Sequence, residues 1–123
     1  MKHIGKQAFY SCNSLKKIII PKAVISIETG AFARCAKLKK AVFLNTMEVL
    51  PGEVFMYCTN LKEVKLPKNL VSIERGAFYQ CENLMKLALP NTVKSIEART
   101  FVGCPKLDLV IPDSVLYIQS EDF

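Results

Sequence analysis

The sequence predicts an α/β solenoid, a coil of short repeats with strands along one side and short helical or 3₁₀ turns along the other. The prediction comes from the spacing of two residue types. Successive cysteines lie 23 residues apart, and a phenylalanine lies three residues before each of them; they are Cys12, Cys35, Cys58, Cys81 and Cys104, and Phe9, Phe32, Phe55, Phe78 and Phe101. A fixed period of about 20–50 residues is typical of solenoids, in which each repeat packs on its neighbours.

The first element of each repeat is a short strand. The unit that starts at Leu15 reads Leu15-x-x-Ile18-x-Ile20-Pro21, and the alternation of Ile18 and Ile20 is typical of a strand with one buried face. Proline cannot donate a hydrogen bond to a sheet, so it marks the position at which the strand ends. Its equivalents in other repeats are Pro67, Pro90 and Pro112, whereas Leu44 takes the place in one repeat.

The second element runs from a buried aliphatic position to the cysteine. Because Phe32 and Cys35 are three residues apart, a short helical or 3₁₀ segment would place both side chains on its inner face. Glycine precedes this segment at Gly30 and Gly76, which indicates a turn before it. Stacked copies about 4.8 Å apart would then form ladders of equivalent side chains along the molecule.

Residues 1–123 are interpreted as a single array of about five 23-residue repeats, with a partial repeat at either end. The last repeat is one residue shorter, because the segment from Leu107 to Pro112 lacks one position. Placing the deletion just after Leu107 keeps Leu109 and Ile111 alternating inward as a strand requires. Neither end carries a polar cap, which favours either a longer array or an end-to-end homo-oligomer through the terminal repeats.

Composition and charge exclude several classes of protein. Half of the residues are hydrophobic, 23% are charged and the net charge is +6, which is too apolar for a disordered chain. No apolar run reaches the roughly 18–20 residues that cross a bilayer, and the first residues lack the apolar core of a signal peptide. We therefore expect a folded chain without membrane insertion.

The cysteines raise the question of a metal or redox site, but packing explains them better. There is no Cys-x-x-Cys pair and the single histidine is His3, so zinc ligands have no familiar spacing. Cysteine is commonly buried as a small hydrophobic residue. The chain also lacks a glycine-rich phosphate loop and a histidine placed to activate a serine or cysteine. We expect no metal, no cofactor, no catalytic residue and no enzymatic activity.

Written out, the unit LxxLxLPxxLxxIxxxAFxxC resembles the repeat of the BspA-like class of leucine-rich repeat proteins, and the match runs from Ile4 to Phe123. The resemblance implies a curved, right-handed solenoid with a parallel sheet on its concave side. It also implies binding rather than catalysis, because proteins of this class are typically surface or secreted molecules that bind host proteins, matrix components or other cells. Departures such as Leu44 and Ala41 affect single turns.

The outward positions of the strands form the candidate ligand-binding face, and they hold seven of the fourteen lysines. Its residues are Lys16, Lys17, Ile19, Lys39, Lys40, Val42, Lys62, Lys65 and Lys86. Like charges stacked about 4.8 Å apart repel one another, and such a face attracts anions. The expected partner is an acidic protein or a sulfated glycan. The alternative is a solvated face that only prevents edge association and keeps the chain soluble.

The functional prediction is a non-enzymatic binding or adhesion module, located at the cell surface or secreted as the resemblance implies. Sequence-specific nucleic-acid binding is not expected, since Arg34, Arg75 and Arg99 all lie off the lysine-rich strands. Two alternatives stay open. The repeats are spacers within a longer surface protein, or they belong to an intracellular scaffold, a compartment that five unpaired thiols permit.

Overall fold

The computed structural model describes residues 2–119, and these form a parallel β-solenoid of about five turns. We call the turns coil 1 to coil 5 after the phenylalanine that each contains, from Phe9 to Phe101. The strands are β1 His3–Ile4, β2 Lys17–Ile20, β3 Ser26–Ile27, β4 Lys40–Phe43, β5 Val49–Leu50, β6 Glu63–Lys65, β7 Ser72–Ile73, β8 Lys86–Leu87, β9 Ser95–Ile96 and β10 Tyr117–Ile118.

The main sheet consists of β2, β4, β6 and β8, which pair in parallel in that order. Ile18 pairs with Ala41, Ala41 with Val64, and Val64 with Leu87, so equivalent residues of successive coils lie side by side. Burial alternates along β2, with Ile18 and Ile20 inward. The predicted strand with one buried face is therefore confirmed.

Proline marks the end of the first strand of the main sheet, as predicted. β2 ends at Ile20, directly before Pro21. At the equivalent position of coil 3, Leu44 keeps its N–H and donates it to the Ile20 carbonyl at 2.8 Å. The leucine in place of proline thus extends the ladder between these two coils by one hydrogen bond.

The shorter strands lie further along each coil and form two separate sheets. β1 pairs with β3, whereas β5, β7, β9 and β10 form a four-stranded sheet. At one equivalent position just after the short strands, Glu28, Glu74 and Glu97 donate their N–H groups to the preceding coil at 2.9, 3.0 and 2.9 Å. Coil 3 has Pro51 at that position, and proline has no N–H to donate. The ladder is interrupted here: β3 and β5 do not pair, and a cleft of about 460 Å³ lies between them.

Between the short strands and the cysteine, each coil folds into consecutive turns, which together we call the turn stack. Its N–H groups alternate in direction. Phe55 donates to the Ala77 carbonyl of the next coil at 2.9 Å, whereas Met56 donates to the Glu53 carbonyl of its own coil at 3.2 Å. A helix would direct every N–H along its own axis to a residue three or four positions back.

The expectation of helical or 3₁₀ turns is wrong, because two residues in each turn segment have left-handed backbone angles. Their φ values lie between 53° and 78°, and they are Gln7, Ser11, Gly30, Arg34, Glu53, Tyr57, Gly76, Gln80, Arg99 and Gly103. Left-handed residues cannot continue a right-handed helix. The described residues form strands and turns without any helix, so the α/β class is corrected to an all-β solenoid.

The core runs without interruption along the solenoid. The five phenylalanine rings of coils 1 to 5 stack with centroids 5.2 to 5.9 Å apart and interplanar angles of 6° to 17°. Phe55 and Phe78 are fully buried, as are Cys35, Cys58 and Cys81. The predicted ladders of buried phenylalanine and cysteine are confirmed for coils 2 to 4.

The final turn of the chain departs from the regular pattern. Tyr117 pairs with Ser95 at an interval of 22 residues, whereas the other pairs of this sheet are 23 residues apart. Leu109 and Ile111 pack partly buried against the core, and Val110 between them is 78% exposed. Residues 109–111 nevertheless lack strand pairing.

Candidate binding face

The structure brings the predicted lysines together as columns on the outer surface of the main sheet. One column, which we call the central column, runs Lys17, Lys40, Glu63 and Lys86 through direct pairing of β2, β4, β6 and β8. A neighbouring column runs Ile19, Val42 and Lys65. In a third, the N–H of Lys39 donates to the Lys16 carbonyl at 2.8 Å, and that of Lys62 to the Lys39 carbonyl at 2.9 Å. We call the nine predicted residues of these columns the lysine face.

A carboxylate interrupts the lysine face at Glu63. Its Oε1 lies 3.7 Å from Nζ of Lys40, with the two side chains 28% and 35% exposed. An ion pair this open to solvent contributes little to stability. Its effect on the local potential is larger, because Glu63 neutralises one lysine of the central column.

Positive charge is concentrated toward the β2 end of the lysine face. The opposite end has a shallow cleft of about 510 Å³ whose lining includes Glu63, Lys65, Lys86 and Asp108. Two carboxylates therefore offset two lysines there. At the β2 end, Lys16, Lys17 and Lys39 are exposed, and so is Ile19 beside them.

The glutamates that directly follow the short strands have a structural function that the sequence pattern did not indicate. The carboxylate of Glu28 accepts the N–H of Lys6 at 2.9 Å, and that of Glu74 accepts the N–H of Gly52 at 3.3 Å. Each glutamate thus satisfies a backbone donor of the preceding coil. These carboxylates lie off the lysine face and hold neighbouring coils together.

The thiols form a hydrogen-bonded ladder inside the solenoid. Cys58 and Cys81 each donate to the phenylalanine carbonyl of the coil before, at 3.1 Å. A hydrogen bond with Cys35 and burial raise the pKa of the Cys58 thiol far above its usual range, and burial raises that of Cys81. Burial raises the pKa of Cys104 to about 11. Such thiols are protonated packing groups, and the thiolate required for nucleophilic chemistry is disfavoured.

A second cluster of charged and aromatic side chains lies on the turn stack. Cζ of Arg34 lies 4.4 Å from the Tyr57 ring centroid, and the rings of Tyr57 and Tyr79 meet edge to face at 5.5 Å. Sequence reasoning missed this cluster, because Tyr57 and Tyr79 occupy different positions of the repeat. Only the stacking of coils brings them together.

Two further properties concern the described part of the chain. Among residues 2–119, no group of three or more histidine, cysteine, aspartate or glutamate side chains is arranged to hold a metal ion. The same residues contain no helix with the length and apolarity that a membrane span requires.

The family comparison matches the chain to the BspA-type leucine-rich repeat region, in six copies across residues 2–123. No curated protein matches the chain.

Solved structures of bacterial leucine-rich repeat proteins are similar to the chain. One from Bacteroides ovatus is 35% identical over 94% of the chain, with a TM-score of 0.83. One from Eubacterium ventriosum is 30% identical over 89% of it, with a TM-score of 0.82. A leucine-rich cell surface protein from Faecalibacterium prausnitzii is 32% identical over 98% of it, also with a TM-score of 0.82. The chain spans 30% of the length of each of these proteins.

Proposed function

From the premise that this chain belongs to the BspA-type leucine-rich repeat family, we propose that it is a non-enzymatic binding module whose lysine face attaches to a sulfated glycan. The observation that carries the proposal is the in-register stacking of lysines on β2, β4 and the residues before them, of which Lys16, Lys17 and Lys39 are exposed. Parallel strands hold the backbones of these lysines at the strand spacing of about 4.8 Å, so their ammonium groups repel one another. An anionic ligand removes that repulsion.

A repetitive polyanion suits this face better than an acidic protein does. The lysine columns repeat at a regular interval without an enclosing pocket, and a sulfated glycan repeats its charges along its length in the same manner. Protein interfaces depend on a few buried aromatic or arginine anchors. The lysine face has neither; its apolar members are Ile19, which is 52% exposed, and Val42.

The proposal includes a location at the cell surface. Support comes from the family and from the Faecalibacterium prausnitzii neighbour, which is described as a cell surface protein. Glycans and matrix components would be accessible to a module at that location. Adhesion to a host or to another cell is the corresponding biological role.

The test measures the affinity of the chain for a fluorescent sulfated heparin octasaccharide by polarisation at increasing salt. We expect binding that persists at about 0.15 M salt, where the Debye length is about 8 Å. Lys17→Glu and Lys40→Glu should each weaken binding at least about tenfold. Glu63→Gln should strengthen it, because this change removes the carboxylate from the central column.

Lys94→Glu is the matched control, since it makes the same charge change at an exposed lysine outside the main sheet. If Lys94→Glu weakens binding as much as Lys40→Glu, the attraction depends on net charge and not on the lysine face. Loss of all binding at physiological salt would support the spacer or scaffold alternatives instead. Tighter binding of a polyglutamate peptide than of the octasaccharide would redirect the proposal to acidic proteins.

A further inference from the structure

A cleft of about 380 Å³ opens on the turn stack, away from the lysine face, and we call it the turn-stack cleft. Three successive coils contribute to it. Coil 3 provides Glu53 and Tyr57, coil 4 provides Arg75 and Tyr79, and coil 5 provides Arg99. Its volume is within the range of about 300–1,000 Å³ that small-molecule sites occupy.

At one position of the cleft lining, coil 4 has a glycine where its neighbours have long side chains. Gly76 lies between Glu53 and Arg99 in the same column of left-handed residues, with φ of +66°. A Cβ at Gly76 would lie 3.4 Å from Cε of Met56 and 3.6 Å from Cγ of Glu53. Gly76 is thus buried beneath the side chains of Met56 and Glu53, and a longer side chain at this position would displace them.

The opening is surrounded by a cationic, an anionic and an aromatic side chain, from Arg75, Glu53 and Tyr79. Arg75 is exposed and makes no ion pair with another described residue. A guanidinium binds a carboxylate through two parallel hydrogen bonds. Glu53 faces the same opening and accepts hydrogen bonds from hydroxyl groups, but it repels a doubly charged phosphate. Tyr79 is half-buried and provides an aromatic surface beside these charges.

We propose that the turn-stack cleft binds an acidic sugar, a hexuronic acid residue that combines one carboxylate with several hydroxyl groups. The carboxylate binds Arg75, a hydroxyl group donates to Glu53, and the ring packs against Tyr79. A neutral sugar lacks the group that Arg75 binds. A simple carboxylic acid lacks the hydroxyl donors that Glu53 accepts.

The test titrates the intact chain with methyl glucuronide and follows the backbone amide NMR signals of the turn stack. We expect a dissociation constant on the order of 1 mM, as the small contact area predicts. The largest shifts should fall at residues 75–79. Arg75→Gln should weaken binding at least about tenfold, because it removes the charged partner of the carboxylate.

Two ligand controls separate the parts of the proposal. Methyl glucoside has the same ring and hydroxyl groups without the carboxylate, and N-acetylglutamate has carboxylates without hydroxyl groups. Both should bind at least about tenfold more weakly than methyl glucuronide. Equal binding of either compound overturns the assignment to an acidic sugar.

A matched pair of variants tests the location of the site. Gly76→Asn places a residue that tolerates left-handed angles beneath the Met56 and Glu53 side chains that line the cleft. Gly30→Asn makes the same change at the equivalent position of coil 2. Gly76→Asn should abolish binding, and Gly30→Asn should preserve it. Equal loss of binding in both variants overturns the proposal. So does the absence of binding by the unaltered chain at a ligand concentration on the order of 20 mM, 20 times the expected dissociation constant. Lys40→Glu leaves this site untouched, so the result is independent of the lysine face.

Discussion

Phe55 illustrates how one repeated residue stabilises this solenoid. Its ring stacks on Phe32 at 5.9 Å and on Phe78 at 5.8 Å, and Phe43 meets its edge at 6.1 Å. The side chain is fully buried. Each ring is therefore packed by the coil before it and the coil after it, and removing one ring leaves a cavity shared by both neighbours.

Replacing Phe55 with alanine should lower the free energy of unfolding by about 3–5 kcal/mol, the usual cost of deleting a buried aromatic side chain. The measurement is urea denaturation followed by circular dichroism. Phe9→Ala is the control, because Phe9 is only partly buried at the edge of the stack. A loss below about 1 kcal/mol for Phe55→Ala would contradict a packing role for the ring.

The buried thiols make stability depend on alkaline pH. An unfolded cysteine has a pKa near 8.5, whereas burial raises the pKa of Cys104 to about 11. A raised pKa means that the folded state favours the neutral thiol. The stabilisation is present below about pH 8.5 and is lost as the pH rises toward 11.

The free energy of unfolding should therefore fall progressively between about pH 8.5 and pH 11. Urea denaturation at a series of pH values measures this change. Cys104→Ala should reduce the slope, since it removes one of the titrating thiols, while lysine titration remains the same in both proteins. An unchanged slope in Cys104→Ala would show that this thiol does not contribute to the pH dependence.

At the scale of elements, parallel pairing decides which charges meet. The register aligns Lys17, Lys40, Glu63 and Lys86 in one column. Along the sequence these residues lie 23 positions apart, so the ion pair between Lys40 and Glu63 depends entirely on the sheet. The same pairing places Lys17 beside Lys40 on the adjacent strand.

Glu63→Lys would replace this ion pair with a fourth ammonium group in the column. We expect a loss of about 0.5–1 kcal/mol of unfolding free energy at low salt, from like-charge repulsion across strands. The loss should nearly vanish at about 1 M salt, where the Debye length is about 3 Å. Glu63→Gln, which removes the pair without adding charge, should lose less. A loss that does not respond to salt would point to packing instead of charge.

The strands and the turn stack differed in how well the sequence predicted them. Alternation of Ile18 and Ile20 and the following Pro21 identified the strand correctly, because both are local properties of the chain. The helical expectation for the turn stack failed since non-glycine residues such as Arg34 and Tyr57 adopt left-handed angles there. Hydrogen bonds to the next coil stabilise those angles, and a single repeat gives no sign of them.

At the scale of the whole molecule, the coils are interchangeable layers. Neighbouring coils contact one another through strand ladders, the turn stack and the phenylalanine rings, although the short-strand ladder is interrupted between β3 and β5. In such an array, stability is approximately a sum of contributions from the repeats and the interfaces between them. Removing one complete interior coil should leave the remaining interfaces intact.

Deleting residues 61–83 removes one repeat and joins Asn60 to Leu84, which restores the native Asn-Leu dipeptide. We expect a folded protein that still unfolds in one cooperative transition. Its denaturant m-value should fall by about a fifth, in proportion to the surface that unfolding exposes. Deleting only residues 61–82 shifts the later repeats by one position and should destabilise the fold severely. Equal stability of the two deletion proteins would contradict the dependence on register.

The sequence by itself determined the period, the strand with its proline stop, the buried phenylalanine and cysteine, and the set of lysines on the strands. These properties follow from residue type and spacing, which repeat in every coil. Only the tertiary structure decided the form of the turn stack, the break at Pro51, the pairing of Lys40 with Glu63, and the cleft beside Gly76. Each of these depends on which residues of different coils are stacked together, and contacts of about 4 to 6 Å between coils are set by the sheet register rather than by local propensity.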